Sequence, residues 1–180
     1  EVGFSEMPGF GPELAQEARA LGATFNGVRL WSLYVPNGRT LEDPHYTYKL
    51  EWLDRLAANT AEWLEHEPDQ ALALMGDFNI APADEDVHDP KAWEGQNLVS
   101  PPERDAFQRL IKLGLNDSFR MFEQAPKTFS WWDYRMMGFR RNAGMRIDHI
   151  LLSEALKEKC SASTVDKEPR AWEQPSDHAP

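Results

Sequence analysis

An α/β fold, with sheet inside and helices outside, is predicted by two features of the sequence. Short apolar runs of strand length recur along it, and amphipathic stretches of helical period lie between them. An Asn-Gly pair between two apolar, alternating segments adds a β-hairpin near the start.

The elements follow in order. The opening EVGFSEMPGFGPE, with two prolines and three glycines, reads as irregular. ARALGATF and VRLWSLYVP flank Asn26-Gly27 as the hairpin strands. Tyr34 falls near the end of the second strand, just before the Pro36-Asn37-Gly38 turn. Leu50, Leu53, Leu56 and Leu64 recur at helical spacing among Glu and Lys, which predicts an amphipathic helix over 45–66. ALALM reads as a short buried strand that runs into Gly76-Asp77-Phe78-Asn79. A second helix over 103–113 is stopped by Gly114. TFSWWDY and MRIDHILL read as strands separated by a basic loop. A short helix from Ser153, a strand from Ala162 to Val165 and the loop QPSDHAP complete the chain.

With 180 residues, 41% hydrophobic and 27% charged, the sequence suits one globular domain with a sizeable core. No apolar run is long enough to span a bilayer, and no basic stretch followed by an apolar one marks a leader, so no membrane partner is expected. The single cysteine, Cys160, excludes an internal disulfide and fits a reducing cytoplasm. A net charge of −11 argues against nucleic-acid binding, which usually leaves a basic footprint. Lys127, Arg135, Arg140, Arg141 and Arg146 nevertheless lie close together, with only Asp133 between them and Asp148 just beyond. Charge alone favours a solvated loop there.

Three groups of residues carry chemistry. Asp77 and Asn79 sit two apart where an apolar strand ends, with Gly76 allowing a tight exit; alternation would put both side chains on one face. A carboxylate beside a carboxamide can orient water, touch a hard cation or donate to a phosphoryl oxygen. Taken alone, GDFN also reads as a turn. Asp148 interrupts an apolar run and needs a partner. His178 is the candidate, because a carboxylate fixes an imidazole's tautomer and supports its charged form. A salt bridge to Arg146 is the competing reading. Asp177 could add a metal or water contact, and His149, which alternates to the opposite side, reads as structural. Trp131, Trp132 and Tyr134 lie beside the basic loop, where aromatic faces stack on bases and arginines hold phosphates; core packing is the ordinary alternative.

Taken in succession, SLYVPNG, LMGDFNIAPADEDV, TFSWWDYR, FRRNAGMRIDHIL and PSDHAP resemble the exonuclease III branch of the exonuclease–endonuclease–phosphatase superfamily, over nearly the whole chain. The resemblance implies a four-layered α/β sandwich of the DNase I-like type, two packed sheets flanked by helices. It implies catalytic roles for Tyr34 on the scissile phosphate, Asp77 on the attacking water, Asn79 on the transition state, and Asp148 with His178 as a pair. Magnesium or manganese would be met by Asp77, Asn79, Asp177 and His178. Trp131 matches the aromatic of the abasic-sugar pocket, and Arg135, Arg140, Arg141 and Asn142 complete the expected DNA-binding set. The implied partner is double-stranded DNA with abasic or 3′-blocked sites, and a cytoplasmic monomer is expected.

The family's N-terminal asparagine and its strand-end glutamate, the principal metal ligand, have no counterpart in the chain, and neither does its final strand. The expectation is therefore a single domain over 1–180 that lacks its N-terminal part and last strand. Two other readings stay open at this stage. One is the same fold acting on another phosphoester, as a nonspecific nuclease or a lipid or nucleotide phosphatase. The other is a non-catalytic piece with weak magnesium binding.

Overall fold

The computed structural model describes residues 17–180 and, for strand backbone alone, Phe4–Ser5. The irregular opening expected at 1–13 otherwise lies outside the described residues. Among the described residues, six strands form one mixed sheet in the order β1-β2-β3-β4-β6-β5. They are β1 (Phe4–Ser5), β2 (Ala20–Phe25), β3 (Val28–Tyr34), β4 (Ala71–Asp77), β5 (Asn116–Asp117) and β6 (Asp148–Leu152). β3 and β4 pair in parallel, as the long helix α1 (Pro44–His66) between them permits; the other pairings among the described residues are antiparallel.

Local chemistry accounts for each boundary. Asn26 and Gly27 both take positive φ, 49° and 78°, the conformation that a two-residue hairpin demands of Asn-Gly. Helix α1 starts where Asp43 accepts the His45 N–H at 2.8 Å and Pro44 presets the first turn. Its buried stripe holds Lys49, Trp52, Leu53, Leu56 and Thr60. The short α2 (Pro90–Trp93) precedes α3 (Pro101–Lys112), which opens with a Ser100–Glu103 capping box and ends before Gly114 at φ 101°. The last helix is α4 (Glu154–Lys157).

One sheet face carries Trp31, Leu33, Leu72, Leu74 and Leu151 into a core shared with Trp52, Leu53 and Leu56 of α1 and Ala106, Phe107 and Leu110 of α3. Each such large side chain contributes roughly 1.5–3 kcal/mol by burial. A mixed sheet flanked by helices is the α/β arrangement expected. Beyond the six strands, pairing among the described residues is a row of isolated bridges, Val87–Met145–Trp131–His178.

Two expected strands are absent. TFSWWDY makes only the Trp131 bridges: Ser130 and Trp131 both donate to Met145 O, and the Ser130 hydroxyl takes the N–H groups of Ile147 and Asp148. A side chain thus replaces the ladder. Residues 162–165 stay irregular because Ser163 is satisfied by side chains, its hydroxyl by Ser118 and its carbonyl by Gln124.

Candidate active site

Strand register assembles the site. Tyr34 of β3 is paired with Asp77 of β4, and Asp77 with Asp148 of β6, so the three stand side by side across adjacent strands. The close approach at this end depends on Gly76, whose φ is 132° and whose added Cβ would lie 2.1 Å from Leu33 O. The strand ends at Asp77, and the chain then turns. Asn79 takes φ 51°, and its N–H donates to Asp77 Oδ1 at 2.8 Å. GDFN is thus a turn, and the turn, not alternation, brings the two side chains into contact.

The Asn79 carboxamide is buried and fully engaged. Its Nδ2 donates to Val35 O at 2.9 Å and to Asp77 Oδ2 at 3.0 Å, while its Oδ1 accepts from Asn37 Nδ2 at 2.9 Å. Its direct action in this geometry is to orient Asp77. Behind it lies a network that the sequence reading missed. Lys49, without solvent exposure, donates to Asn79 O at 2.6 Å, to Asn37 O at 3.2 Å and to the equally buried Glu103. Glu103 also accepts from Leu98 N, Ser100 N and the Ser100 hydroxyl. The signals were present: Lys49 sits on the apolar stripe of its helix, and Ser100-x-x-Glu103 spells a capping box.

His178 arrives on the C-terminal loop. Its Nδ1 lies 2.8 and 3.0 Å from the two Asp148 oxygens, and its Nε2 is 4.0 Å from Asp77 Oδ2. The pairing expected of Asp148 is present; Arg146 instead pairs with Asp86 and Asp117 and is buried, so it leaves the basic loop. The loop is held by Trp132 N–H to Asp177 O, Ala179 N–H to Ser130 O, and Trp131 Nε1–H to Asp177 Oδ2 at 3.0 Å.

The electrostatics are asymmetric. Burial, then the Asp148 charge, raises the Asp77 carboxyl to about 7, against the opposing pull of Asn79 N–H, His178 and Lys49. Burial would lower the His178 imidazole, but its hydrogen bond to Asp148 and the charges of Asp148, Asp77 and Asp177 raise it on balance. The site thus holds a carboxyl that titrates near neutrality beside an imidazole whose charged form is favoured.

These groups suit a hard divalent cation in part. Asp77 beside Asp148 leaves negative charge that a cation would relieve, and oxygen donors are the right kind. Among the described residues no three His, Cys, Asp or Glu side chains are set around one ion. Magnesium needs only one or two carboxylates, filling its shell with water and phosphate oxygens. Asp77 and Asp177 carry oxygens of that kind, Asn79 is largely committed elsewhere, and the Nε2 of His178 could serve only in the neutral ring.

The DNA-facing candidates separate. Arg135, Arg140 and Arg141 are exposed, Arg135 being paired with Asp133 at 2.6 Å. Asn142 is spent within the loop, accepting from Trp132 Nε1 and donating to Lys127 O. Trp131 is half-buried beside Asp177, whereas Trp132 is a core residue.

His149 is structural, as its alternation suggests. Its Nε2–H donates to Ile80 O at 2.8 Å and its Nδ1 accepts from Arg146 at 3.0 Å. Burial, then the Arg146 charge, lowers it to about 3. The unfolded chain therefore binds more protons than the folded one between pH 6.5 and 3, and stability falls as pH drops through that window. Melting temperature should decline steadily below pH 6.5, with roughly 5 kcal/mol at stake. His149→Gln should flatten that acid limb.

The model of the "Endonuclease/Exonuclease/phosphatase family" matches residues 6–178. Exodeoxyribonuclease III of Haemophilus influenzae is 40% identical over 156 residues, 82% of this chain and 57% of that protein. The 3′-5′ exonuclease NExo of Neisseria meningitidis superposes with a TM-score of 0.91 at 40% identity, covering 99% of this chain and 68% of its own. An AP endonuclease from Archaeoglobus fulgidus gives a TM-score of 0.89 at 31% identity over 99% of this chain and 68% of its own. The chain spans a little over half the length of the curated relative.

Proposed function

The chain belongs to the endonuclease/exonuclease/phosphatase family, with the exodeoxyribonuclease III and AP endonuclease proteins, and on that premise we propose that it hydrolyses phosphodiesters of double-stranded DNA. The substrates are abasic sites and 3′-blocked ends, and the setting is base excision repair by a cytoplasmic monomer. The observation that carries this reading is the row Tyr34–Asp77–Asp148 closed by His178.

Asp77, held by both donors of Asn79 on the turn, orients the attacking water and takes its proton on the carboxylate that burial has made basic. His178, kept charged by Asp148, faces the developing negative charge with Nε2. Tyr34, more than half exposed at the strand end, contacts the phosphate from the other flank. A divalent cation, magnesium or manganese, would take Asp77 and Asp177 as protein donors and supply neutralisation of phosphate charge. Trp131 receives the sugar, and Arg135, Arg140 and Arg141 hold the flanking backbone.

The decisive assay compares abasic duplex, intact duplex, a 3′-phosphate end and a phosphoinositide. Fastest turnover is expected on the abasic duplex or the 3′-phosphate. Preference for the phosphoinositide would replace the DNA reading with a lipid phosphatase on the same fold.

A further inference from the structure

Beside the active site, the loop carrying Asp133 and Arg140 and the segment from Arg170 to Pro175 border an open cavity of about 450 Å³. Arg170 lines it and is only 6% exposed. Its guanidinium lies 5.0 Å from the Tyr134 ring centroid and 5.1 Å from that of Phe139. Nη2 donates to Trp132 O at 3.3 Å, and the buried Nε has no partner. Among the described residues no carboxylate pairs with it. Asp133, the acid in the cavity wall, is held instead by Arg135 at 2.6 Å.

A buried cation without a counter-charge is costly, and two aromatic faces offset only part of that cost. Arg140 adds a second, exposed cation to the wall. Trp172 and Tyr134 present open aromatic faces, 62% and 59% exposed. Guanidinium groups beside open rings are the chemistry that receives a phosphate joined to a base.

We infer that this cavity is a nucleotide subsite, with Arg170 and Arg140 facing a phosphate and Trp172 stacking on the base. Its wall is continuous with the catalytic loop. The Tyr134 hydroxyl donates to Pro175 O at 2.6 Å, and the same segment runs on to Asp177 and His178. The inference deepens the nuclease reading and rests on it for the ligand's source: a nucleotide of a bound strand, or a free one.

The test follows indole N–H resonances of the full chain in chelator, without metal. The probes are 2′-deoxyadenosine 5′-monophosphate and a short single-stranded oligonucleotide. The Trp172 resonance, assigned with Trp172→Ala, should shift with the oligonucleotide alone if the subsite serves a strand, or with both probes if it also takes free nucleotide. Arg170→Gln risks unfolding the loop, so the exposed residues carry the test. Trp172→Ala and Arg140→Ala should each weaken binding at least about fivefold. No Trp172 shift with either probe, or unchanged affinity in both variants, overturns the subsite. Cleavage of abasic duplex is measured separately with metal. Its absence alongside nucleotide binding at Trp172 supports the subsite and removes the nuclease reading. Its presence without a Trp172 shift does the reverse.

Discussion

Asp77→Asn should lower the rate of abasic-duplex cleavage by about 10³-fold while leaving the protein at least as stable at pH 8. The two effects have one cause. Burial and the Asp148 charge hold the folded Asp77 pKa near 7, above the unfolded value. Stability from this group is fully present below the unfolded pKa and is lost as pH rises through about 7, so the ionised carboxylate weakens the fold at alkaline pH. The amide removes that charge and with it the base. Asn79 N–H keeps an oxygen acceptor in the variant, so the turn should survive. Cleavage rates and melting curves at pH 5 and pH 8 check both halves. A dead enzyme that is also less stable at pH 8 would mean that Asp77 is structural.

Lys49→Met should cost about 3–5 kcal/mol of stability, the largest such loss expected from one substitution here. The substitution strands Glu103 without its cation and takes the lysine donor from Asn79 O and from Asn37 O, which keeps only Asn97 Nδ2. Burial already pushes Lys49 down from the ordinary lysine range, with the Glu103 charge opposing it, so the pair stands or falls together. Denaturant titration of Lys49→Met, Glu103→Gln and the double variant measures the coupling. The double variant should recover much of the loss. Cleavage should fall with Lys49→Met even where the fold persists, because the Asn37–Asn79–Asp77 chain of contacts loses its anchor. Strict additivity of the two substitutions would mean that the pair is not a unit.

Much of the fold was legible where local chemistry is strong. Asn26-Gly27 forces a hairpin because few residues accept positive φ at both positions, and the leucine period of α1 leaves little choice of state. Legibility failed where side chains replace backbone pairing. Ser130 intercepts the N–H groups that would extend TFSWWDY into a ladder, and no local pattern announces that. The α/β fold implied by the family likeness is present, with a row of bridges beyond the mixed sheet among the described residues.

In the site, Tyr34, Asp77, Asp148 and His178 converge as their motifs suggest, because strand register and one loop are enough to gather them. Arg146 and Asn142 diverge from expectation. A guanidinium next to an apolar run can turn inward when carboxylates wait there, and Asp86 and Asp117, far off in sequence, do so. Asn142 in turn is drawn into its own loop by the Trp132 indole.

The most direct measurement of the central claim is a cleavage cycle on abasic duplex with Asp148→Asn, His178→Gln and the double variant. Because Asp148 acts through the imidazole it holds and, by its charge, on Asp77 beside it, the double variant should be much faster than the product of the two single losses. Losses that multiply, or cleavage untouched by either substitution, would contradict a site in which these side chains work on one phosphate.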